Sequence, residues 1–189
     1  MAHQTTNRQP EGLRYLPDFV LPEEERALVA QIQGLSFSDV KMHGVVAKRR
    51  TVHFGWLYGY ESWQLTPGPP IPDFLGPWRR RAAELMRTQA YRIEEVLITE
   101  YAEGAGIGWH RDAPMFGACV VGLSLLDACR FRFQRIHAGR RETFTLTLEP
   151  RSAYVLSGPA RFHWQHSIPA VKARRYSITF RTIHRTHQR

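Results

Sequence analysis

The chain has 189 residues, of which 43% are hydrophobic and 12% aromatic. This length fits one domain with a well-buried core, and the composition excludes a largely disordered chain. The formal net charge is +9, so a polyanion such as nucleic acid is the first partner to consider.

The sequence contains no evident targeting or membrane segment. The opening residues, MAHQTTNRQP, are polar and lack the apolar run of a secretion signal. The longest apolar run, around residues 118–126, is too short to cross a membrane. The two cysteines, Cys119 and Cys129, form neither a zinc motif nor a disulfide framework. We therefore expect a cytoplasmic protein without a membrane partner, and no obligate protein partner is evident.

The N-terminal half reads as helices joined by aromatic and proline-rich segments. LRYLPDFVLPEEERALVAQIQGL predicts a short extended piece and then a helix that begins near Pro22 and ends at Gly34. Aromatic and β-branched residues dominate 49–63 and favour strands or an ordered loop. The prolines of TPGPPIPDF interrupt any helix, and a second helix is predicted over about 72–89.

From about residue 91 the pattern changes to short β-type runs separated by turn residues. The runs are IEEVLITEYA, GIGWHRD, ACVVGLSLL, RFRFQRI, RETFTLTLE, SAYVLSG, RFHWQHSI and RRYSITFRT. Many short strands at this spacing predict an antiparallel sandwich or a jelly-roll barrel. We expect a single domain over 1–189, with N-terminal helices and a candidate substrate lid in 1–90 and the β core in 91–183.

The segment GWHRDAPMFG places His110 and Asp112 two positions apart, on one face if the segment is a strand. Such a pair can hold a metal ion or form an ordinary hydrogen bond. RFHWQHSIP supplies two candidates for a third ligand, His163 and His166. Two histidines and one carboxylate form the facial triad of non-heme Fe(II) oxygenases, which leaves coordination positions open.

A second feature lies in RRYSITFR, near the end of the chain. Alternation divides this strand into a polar face and an apolar face, which are respectively Arg175, Ser177, Thr179, Arg181 and Tyr176, Ile178, Phe180. An arginine facing the interior is suited to bidentate capture of a carboxylate. A chelating site beside such an arginine indicates a 2-oxoglutarate site, and the alternative is an edge strand with a polar solvent face.

The basic residues occur in clusters, which are 48–50, 79–81, 130–141 and 181–189. The first cluster lies two residues before the aromatic stretch HFGWLY. We predict a substrate lid in which bases stack on Trp56 or Tyr58 while phosphates meet Arg49 and Arg50. The alternative is that these aromatic side chains belong to the core.

In chain order, five segments resemble the AlkB-like family of Fe(II)- and 2-oxoglutarate-dependent dioxygenases. They are HFGWLYGY (53–60), ITEYAEGAGIGWHRD (98–112), LSLLDACRFRFQR (123–135), YVLSGPARFHWQHSIP (154–169) and RRYSITFR (174–181). The match runs from about Gly12 to Arg181. A single H-x-D is weak evidence, but the ordered set of motifs is specific.

The resemblance implies an α+β, mainly β fold, with a double-stranded β-helix (jelly-roll) core and N-terminal supporting helices. It assigns iron, and hence catalysis, to His110, Asp112 and His166. It assigns the distal carboxylate of 2-oxoglutarate to Arg175. Other positions predicted at the cosubstrate are Tyr101, Thr99, Ser177 and Arg181.

The resemblance also implies a reaction: oxidative dealkylation of N-alkylated bases in DNA or RNA with O2 as co-substrate, releasing succinate, CO2 and an aldehyde. A single strand or a flipped base is expected, because a stacked base cannot reach the iron. Thr99 replaces a common asparagine, and Ala113-Pro114 follow the H-x-D motif where DNA-repair members carry acidic residues. The first departure affects one expected cosubstrate contact, and the second favours RNA or another substrate: a tRNA modification, a protein or a small molecule. A nucleic-acid-binding protein with a vestigial metal site is the alternative from another class.

Overall fold

The computed structural model describes residues 8–42, 45–59 and 65–184. Strands dominate these ranges and helices are few. In chain order the elements are β1 (Leu13–Leu16), α1 (Pro22–Gln33), β2 (Ser38–Met42), β3 (Val45–Phe54), β4 (Trp56–Tyr58), β5 (Leu65–Pro67), α2 (Gly76–Met86), β6 (Ile93–Tyr101), β7 (Ile107–His110), β8 (Phe116–Leu125), β9 (Cys129–His137), β10 (Arg140–Leu148), β11 (Ser152–Ser157), α3 (Gly158–Phe162), β12 (Gln165–Ile168) and β13 (Arg175–Ile183).

The strands form two main sheets and one small ribbon. A seven-stranded sheet has the order β1-β11-β8-β13-β6-β3-β2, and a four-stranded sheet has the order β10-β9-β12-β7. From β6 onward, successive strands pass repeatedly between the two sheets, and the pairs within each sheet are antiparallel. This winding is that of a double-stranded β-helix, which confirms the predicted fold class.

Two hydrophobic cores lie on opposite faces of the seven-stranded sheet. On the outer face, Ile32 of α1 and Trp78 of α2 cover the apolar side chains of β13, among them Ile178. Between the sheets, Phe131 and Phe133 of β9 form the centre of a second core. The predicted alternation in β13 is therefore confirmed: its apolar face packs against the helices, and its polar face points between the sheets.

The N-terminal part of the chain contributes more than helices. Strand β1 pairs with β11, and β3 pairs with β6, so both belong to the seven-stranded sheet. The short extended piece expected before α1 and the strands expected within 49–63 are present as β1, β3 and β4, but their pairing with the jelly-roll strands was not predicted. The region also supplies strands because the aromatic and β-branched run before Gly55 can pair along β6.

Helix α1 agrees with its predicted bounds, whereas two other elements are shorter than predicted. Helix α2 ends at Met86, because Arg87 adopts a left-handed conformation with φ of 56°. The segment predicted as a strand around RFHWQHSI begins instead with α3, which Pro159 initiates, and becomes extended only at Gln165. Within the described ranges, no helix is long and apolar enough to span a membrane.

Candidate active site

The three predicted iron ligands lie together at one end of the space between the sheets. His110 at the end of β7 stands directly opposite His166 of β12 in the strand register. Their rings are 4.3 Å apart between centroids and nearly perpendicular. The Oδ2 atom of Asp112 lies 3.8 Å from Nε2 of His166. The antiparallel pairing of two short strands thus brings together residues that are more than fifty positions apart in sequence.

The tautomer of His110 is set by its surroundings. Its Nδ1 lies 2.8 Å from the carbonyl oxygen of Gly108. A carbonyl can only accept a hydrogen bond, so Nδ1 carries the proton and Nε2 keeps a lone pair. This arrangement fits a metal ligand. The buried Nδ1 of His166 has no hydrogen-bond partner among the described residues, which is a second sign that the native site holds another group.

Both imidazoles are held neutral. Burial, reinforced by the neighbouring His110, lowers the pKa of His166 to about 3. Burial also lowers the pKa of His110, although Asp112 opposes this effect. Neutral imidazoles are the form that binds a metal ion at physiological pH.

The carboxylate of Asp112 is held by an arginine. Arg181 donates to Oδ1 of Asp112 from Nη2 at 2.6 Å and from Nε at 2.9 Å. Burial alone would raise the pKa of Asp112, but the Arg181 guanidinium and His166 hold it well below its usual range. Within the described ranges, no group of three or more His, Cys, Asp or Glu side chains is arranged to hold a metal ion. The three candidates are therefore neighbours with free donor atoms, not a preassembled cage.

Arg175 carries the clearest sign of a missing ligand. Its side chain is completely buried, and its Nη2 donates to Oγ of Ser124 at 2.9 Å. Its Nε and Nη1 have no hydrogen-bond partner among the described residues. A buried guanidinium with two unpaired donors is costly unless a carboxylate completes it. The geometry therefore fits the distal carboxylate of a 2-oxo diacid.

The other predicted cosubstrate residues line the same wall. Tyr101 stands opposite Arg175 in the register, and its ring lies 5.0 Å below the guanidinium carbon. Thr99 and Ser177 are also buried and stand opposite each other. They belong to one row of hydroxyl side chains across five strands, which is Thr51, Thr99, Ser177, Ser124 and Ser152.

His163, the rival third ligand, is exposed and lies at the end of α3, outside this cluster. The hydrogen bonds of Arg181 go to Asp112 and to Glu95, so a contact of Arg181 with the cosubstrate stays a prediction. The geometry instead gives Arg181 the role of holding the aspartate.

The predicted substrate residues do not lie together in the structure. Arg49 is buried on the inner face beside Tyr101, whereas its neighbour Arg50 points to the outer face and pairs with Glu100 at 2.5 Å. Their common role as phosphate contacts is not supported, because adjacent strand residues face opposite sides. Trp56 is half-buried in the β4–β5 ribbon. The side chain of Tyr58 lies outside the described part of the chain.

Sequence reasoning missed two charged residues of the site. Glu95 is fully buried and accepts two hydrogen bonds from Nη1 of Arg181, at 3.0 and 3.2 Å. Counting back by twos from Tyr101 along β6 would have placed Glu95 on the inner face. Arg161 donates to carbonyl oxygens of the loop after β7 and of the start of β8, which are those of Asp112, Ala113, Phe116 and Gly117. No local signal marks Arg161, because its partners are forty or more residues away.

A glycine shapes the wall between the sheets. A Cβ atom at Gly122 of β8 would lie 2.2 Å from the ring of Tyr154, so only glycine leaves room for that ring. Tyr154 is buried, and burial together with nearby Asp112 raises the pKa of its hydroxyl. The tyrosine therefore stays neutral and adds no charge near the candidate ligands.

Comparison with known proteins agrees with this geometry. The model of the 2OG-Fe(II) oxygenase superfamily matches residues 12–181. A solved structure of OsALKBH1 superposes with a TM-score of 0.71 at 16% identity, covering 94% of this chain and 99% of that chain. A Pseudomonas putida prolyl-4-hydroxylase gives a TM-score of 0.64 at 14% identity, covering 92% and 93%. At such identities these structures show a shared fold.

The chain therefore belongs to the 2OG-Fe(II) oxygenase superfamily, whose members use Fe(II) and 2-oxoglutarate. Within that superfamily its relatives are AlkB homologues, which confirms the resemblance seen in the sequence. An Arabidopsis thaliana protein named alkylated DNA repair protein ALKBH8 homolog is 28% identical over 91% of this chain. The mouse tRNA (carboxymethyluridine(34)-5-O)-methyltransferase ALKBH8 is 26% identical over 84% of it. The chain spans 58% and 24% of these two relatives.

Proposed function

We propose that this protein is an Fe(II)- and 2-oxoglutarate-dependent oxygenase that removes alkyl groups from the nitrogens of nucleic-acid bases. The observation that carries the proposal is the buried Arg175, whose Nε and Nη1 have no hydrogen-bond partner among the described residues. Arg175 lies on the same face of β13 as Arg181, which holds the candidate ligand Asp112. In this proposal the three residues hold Fe(II), and Arg175 with Tyr101 binds 2-oxoglutarate.

The bound iron and cosubstrate would supply the oxidising power to hydroxylate a C–H bond with O2, giving succinate and CO2. The residues of the chain orient the candidate metal ligands and shield them from water. Arg181 fixes the orientation of Asp112, and the Gly108 carbonyl fixes that of His110. The surrounding phenylalanines, among them Phe131 and Phe133, contact the ring of His166 and keep water from it. A methyl group on a base nitrogen, once hydroxylated, leaves as formaldehyde.

Two facts support a nucleic-acid substrate. The net charge of +9 favours binding of phosphates. The Arabidopsis relative is named for repair of alkylated DNA, and the mouse relative for a tRNA nucleoside. The mouse name favours a second candidate from the same enzyme class, oxidation of a modified uridine in tRNA. The Ala113-Pro114 pair after the H-x-D motif also favours this second candidate.

One panel of substrates separates the two candidates. The protein, with Fe(II), 2-oxoglutarate and O2, is incubated with methylated and etheno-modified oligonucleotides, single- and double-stranded, and with bulk tRNA. Mass spectrometry of the digested nucleosides is expected to show loss of the alkyl group, faster on single strands. A hydroxylated tRNA nucleoside without dealkylation would select the second candidate. His110→Ala is the control, and succinate formation by that variant would contradict the proposed iron site.

A further inference from the structure

The outer face of the four-stranded sheet, which points away from the candidate iron site, carries a continuous basic surface. Two register rows define it. Ser167, Arg132 and Thr145 form one row, and Gln165, Gln134 and Thr143 form the next. Trp109 of β7 lies beside the first row, in contact with Arg132. Arg130 and Arg141 extend it on either side, and Arg111 lies beside it after β7. We call this surface the outer basic face.

The charge on this face is of one sign. Glu142 is the one carboxylate in the four strands, all of which are described, and it pairs with Arg135 at 2.6 Å. Arg135 lies over the ring of buried Trp164, so this ion pair belongs to the other side of the sheet. The arginines of the outer basic face therefore have no carboxylate among their neighbours in these strands. Such a surface is complementary to a polyanion.

The face also offers groups that recognise more than charge. Trp109 is 38% exposed, and the guanidinium of Arg132 lies 5.0 Å from its ring. An exposed aromatic ring beside arginine is suited to stack with an unpaired base. Gln134 and Gln165, in the neighbouring row, are linked by a hydrogen bond of 3.0 Å. Polar amides and an aromatic on an open sheet are how proteins read single strands without a deep groove.

A cavity of about 280 Å³ lies at the end of the sheet, where residues of the outer basic face meet Arg135 from the other side. Its lining combines cationic groups with amides and one imidazole, namely Arg111, Arg135, Arg141, Gln134, Gln165 and His163, together with Ile136. A concave site where several guanidiniums converge suits a phosphate group. The cavity and the rows of the sheet together form a track, not an isolated patch.

The position of β7 connects this track to the candidate iron site. β7 is the edge strand of the four-stranded sheet, and its successive residues Trp109 and His110 face opposite sides. A strand of nucleic acid lying on the outer basic face can therefore turn around this edge toward the site.

We propose that the outer basic face binds the sugar–phosphate backbone of single-stranded nucleic acid, flanking the nucleotide that enters the site. The proposal deepens the proposed function by naming where the polymer lies, but binding itself needs neither iron nor turnover. It also gives a role to the basic cluster at 130–141, which the iron site does not use.

The test measures binding of a labelled, unmodified single-stranded oligonucleotide by fluorescence anisotropy across a range of salt concentrations. The variant R130Q/R132Q/R141Q removes three charges from the face. Its control, R26Q/R80Q/R92Q, removes three exposed charges from α1, α2 and the turn before β6. We expect affinity to fall about tenfold or more for the face variant alone. The slope of log K against log salt should fall by about 2, since each phosphate contact on a single strand contributes about 0.7.

A second variant keeps every arginine. T145E/T147E places carboxylates at exposed positions directly opposite Arg132 and Arg130, where they would form cross-strand pairs. It should weaken binding without loss of fold. Affinity and salt slope equal to those of the control variant would overturn the proposal. Binding to phosphatidylserine vesicles but not to the oligonucleotide would overturn it as well, because the face would then serve a lipid surface.

Measurements of turnover on a long and a short substrate distinguish failure of the docking surface from failure of the proposed function. The face variant is expected to lower kcat/KM on a long modified oligonucleotide and to leave it unchanged on a modified trinucleotide, which is too short to span the sheet. Absence of turnover on both substrates, with normal binding by the parent protein, would contradict the proposed function and leave the docking surface intact. Equal loss on both substrates would overturn the docking surface.

Discussion

Arg175 is the residue on which the cosubstrate assignment depends. Its guanidinium is buried, Ser124 accepts from Nη2, and Nε and Nη1 have no hydrogen-bond partner in the part of the chain that the structure describes. The charge has therefore been removed from water without a partner that balances it, and this is stable only if a ligand supplies a carboxylate.

We predict that Arg175→Ala raises the KM for 2-oxoglutarate by roughly 30-fold or more, because loss of a buried charge pair costs about 2 kcal/mol or more. The measurement is succinate formation at varied 2-oxoglutarate. Arg174→Ala is the matched control, since Arg174 is exposed and weakly paired with Glu100 on the other face. A KM equal to that of the parent protein would remove Arg175 from the cosubstrate site.

Glu95 is the second informative residue, because it balances Arg181 behind the candidate iron ligand. The guanidinium of Arg181 lies between two carboxylates, those of Asp112 and Glu95. Without Glu95, the charge of Arg181 would be neutralised by Asp112 alone. Asp112 would then be a weaker ligand for a cation, because more of its negative charge would be engaged by Arg181.

Glu95→Gln is accordingly expected to weaken Fe(II) binding by about tenfold or more, as for other residues that support metal ligands. The Fe(II) affinity is measured by anaerobic titration with Fe(II) in the presence of 2-oxoglutarate, monitored through the visible charge-transfer band of the complex. Glu94→Gln changes the adjacent position, which faces the opposite side of β6, and should leave the affinity unchanged. Equal affinities in the two variants would contradict the role given to Glu95.

At the scale of elements, the short helix α3 anchors the loop that carries Asp112. Its Arg161 is 3% exposed and donates to carbonyl oxygens of two loop residues, Asp112 and Ala113, and of the first two residues of β8, at 2.8 to 3.3 Å. Burial lowers the pKa of Arg161, and Asp112 opposes that effect. The helix is too short to be stable alone, so its packing against β11 and β8 positions the arginine.

Arg161→Met should lower the free energy of unfolding by about 2–4 kcal/mol, because several buried carbonyls lose their donor. Urea unfolding followed by tryptophan fluorescence measures the change. Lys172→Met, at an exposed position near β13, is the control and should change stability little. A stability loss no larger than that of the control would show that water or a rearranged loop satisfies these carbonyls.

At the scale of the whole molecule, the N-terminal half and the jelly roll share one sheet. β3 flanks β6 and β1 flanks β11, while α1 and α2 cover the apolar face of β13. Removing residues 1–90 would expose that face and leave β6 and β11 without these partners. The chain is therefore expected to unfold as one unit.

We predict that the fragment 91–189 does not fold cooperatively, whereas the full chain shows one thermal transition. Far-UV circular dichroism and tryptophan fluorescence should give coincident curves for the full chain. A fragment with a sharp transition of its own would show that the jelly roll is an independent domain and that residues 1–90 are an appendage.

Several features of the site followed from the sequence because they depend on local periodicity. A strand alternates its side chains whatever surrounds it, so Arg175 and Ser177 were expected on one face, opposite to Ile178, as observed. The spacing of His110 and Asp112 likewise predicted that both could reach one point. The order of the motifs indicated the family from the sequence alone.

Other features were decided only by the tertiary structure. The sequence shows two arginines in β13, but only the fold shows that Arg181 is engaged by Asp112 and Glu95, whereas two donors of Arg175 have no partner among the described residues. Arg49 and Arg50 were expected to act together, yet they face opposite sides of the sheet. The physical reason is that alternation along a strand is a property of its own backbone. Which distant side chain meets a given guanidinium depends instead on strand register, and burial of the whole core sets that register.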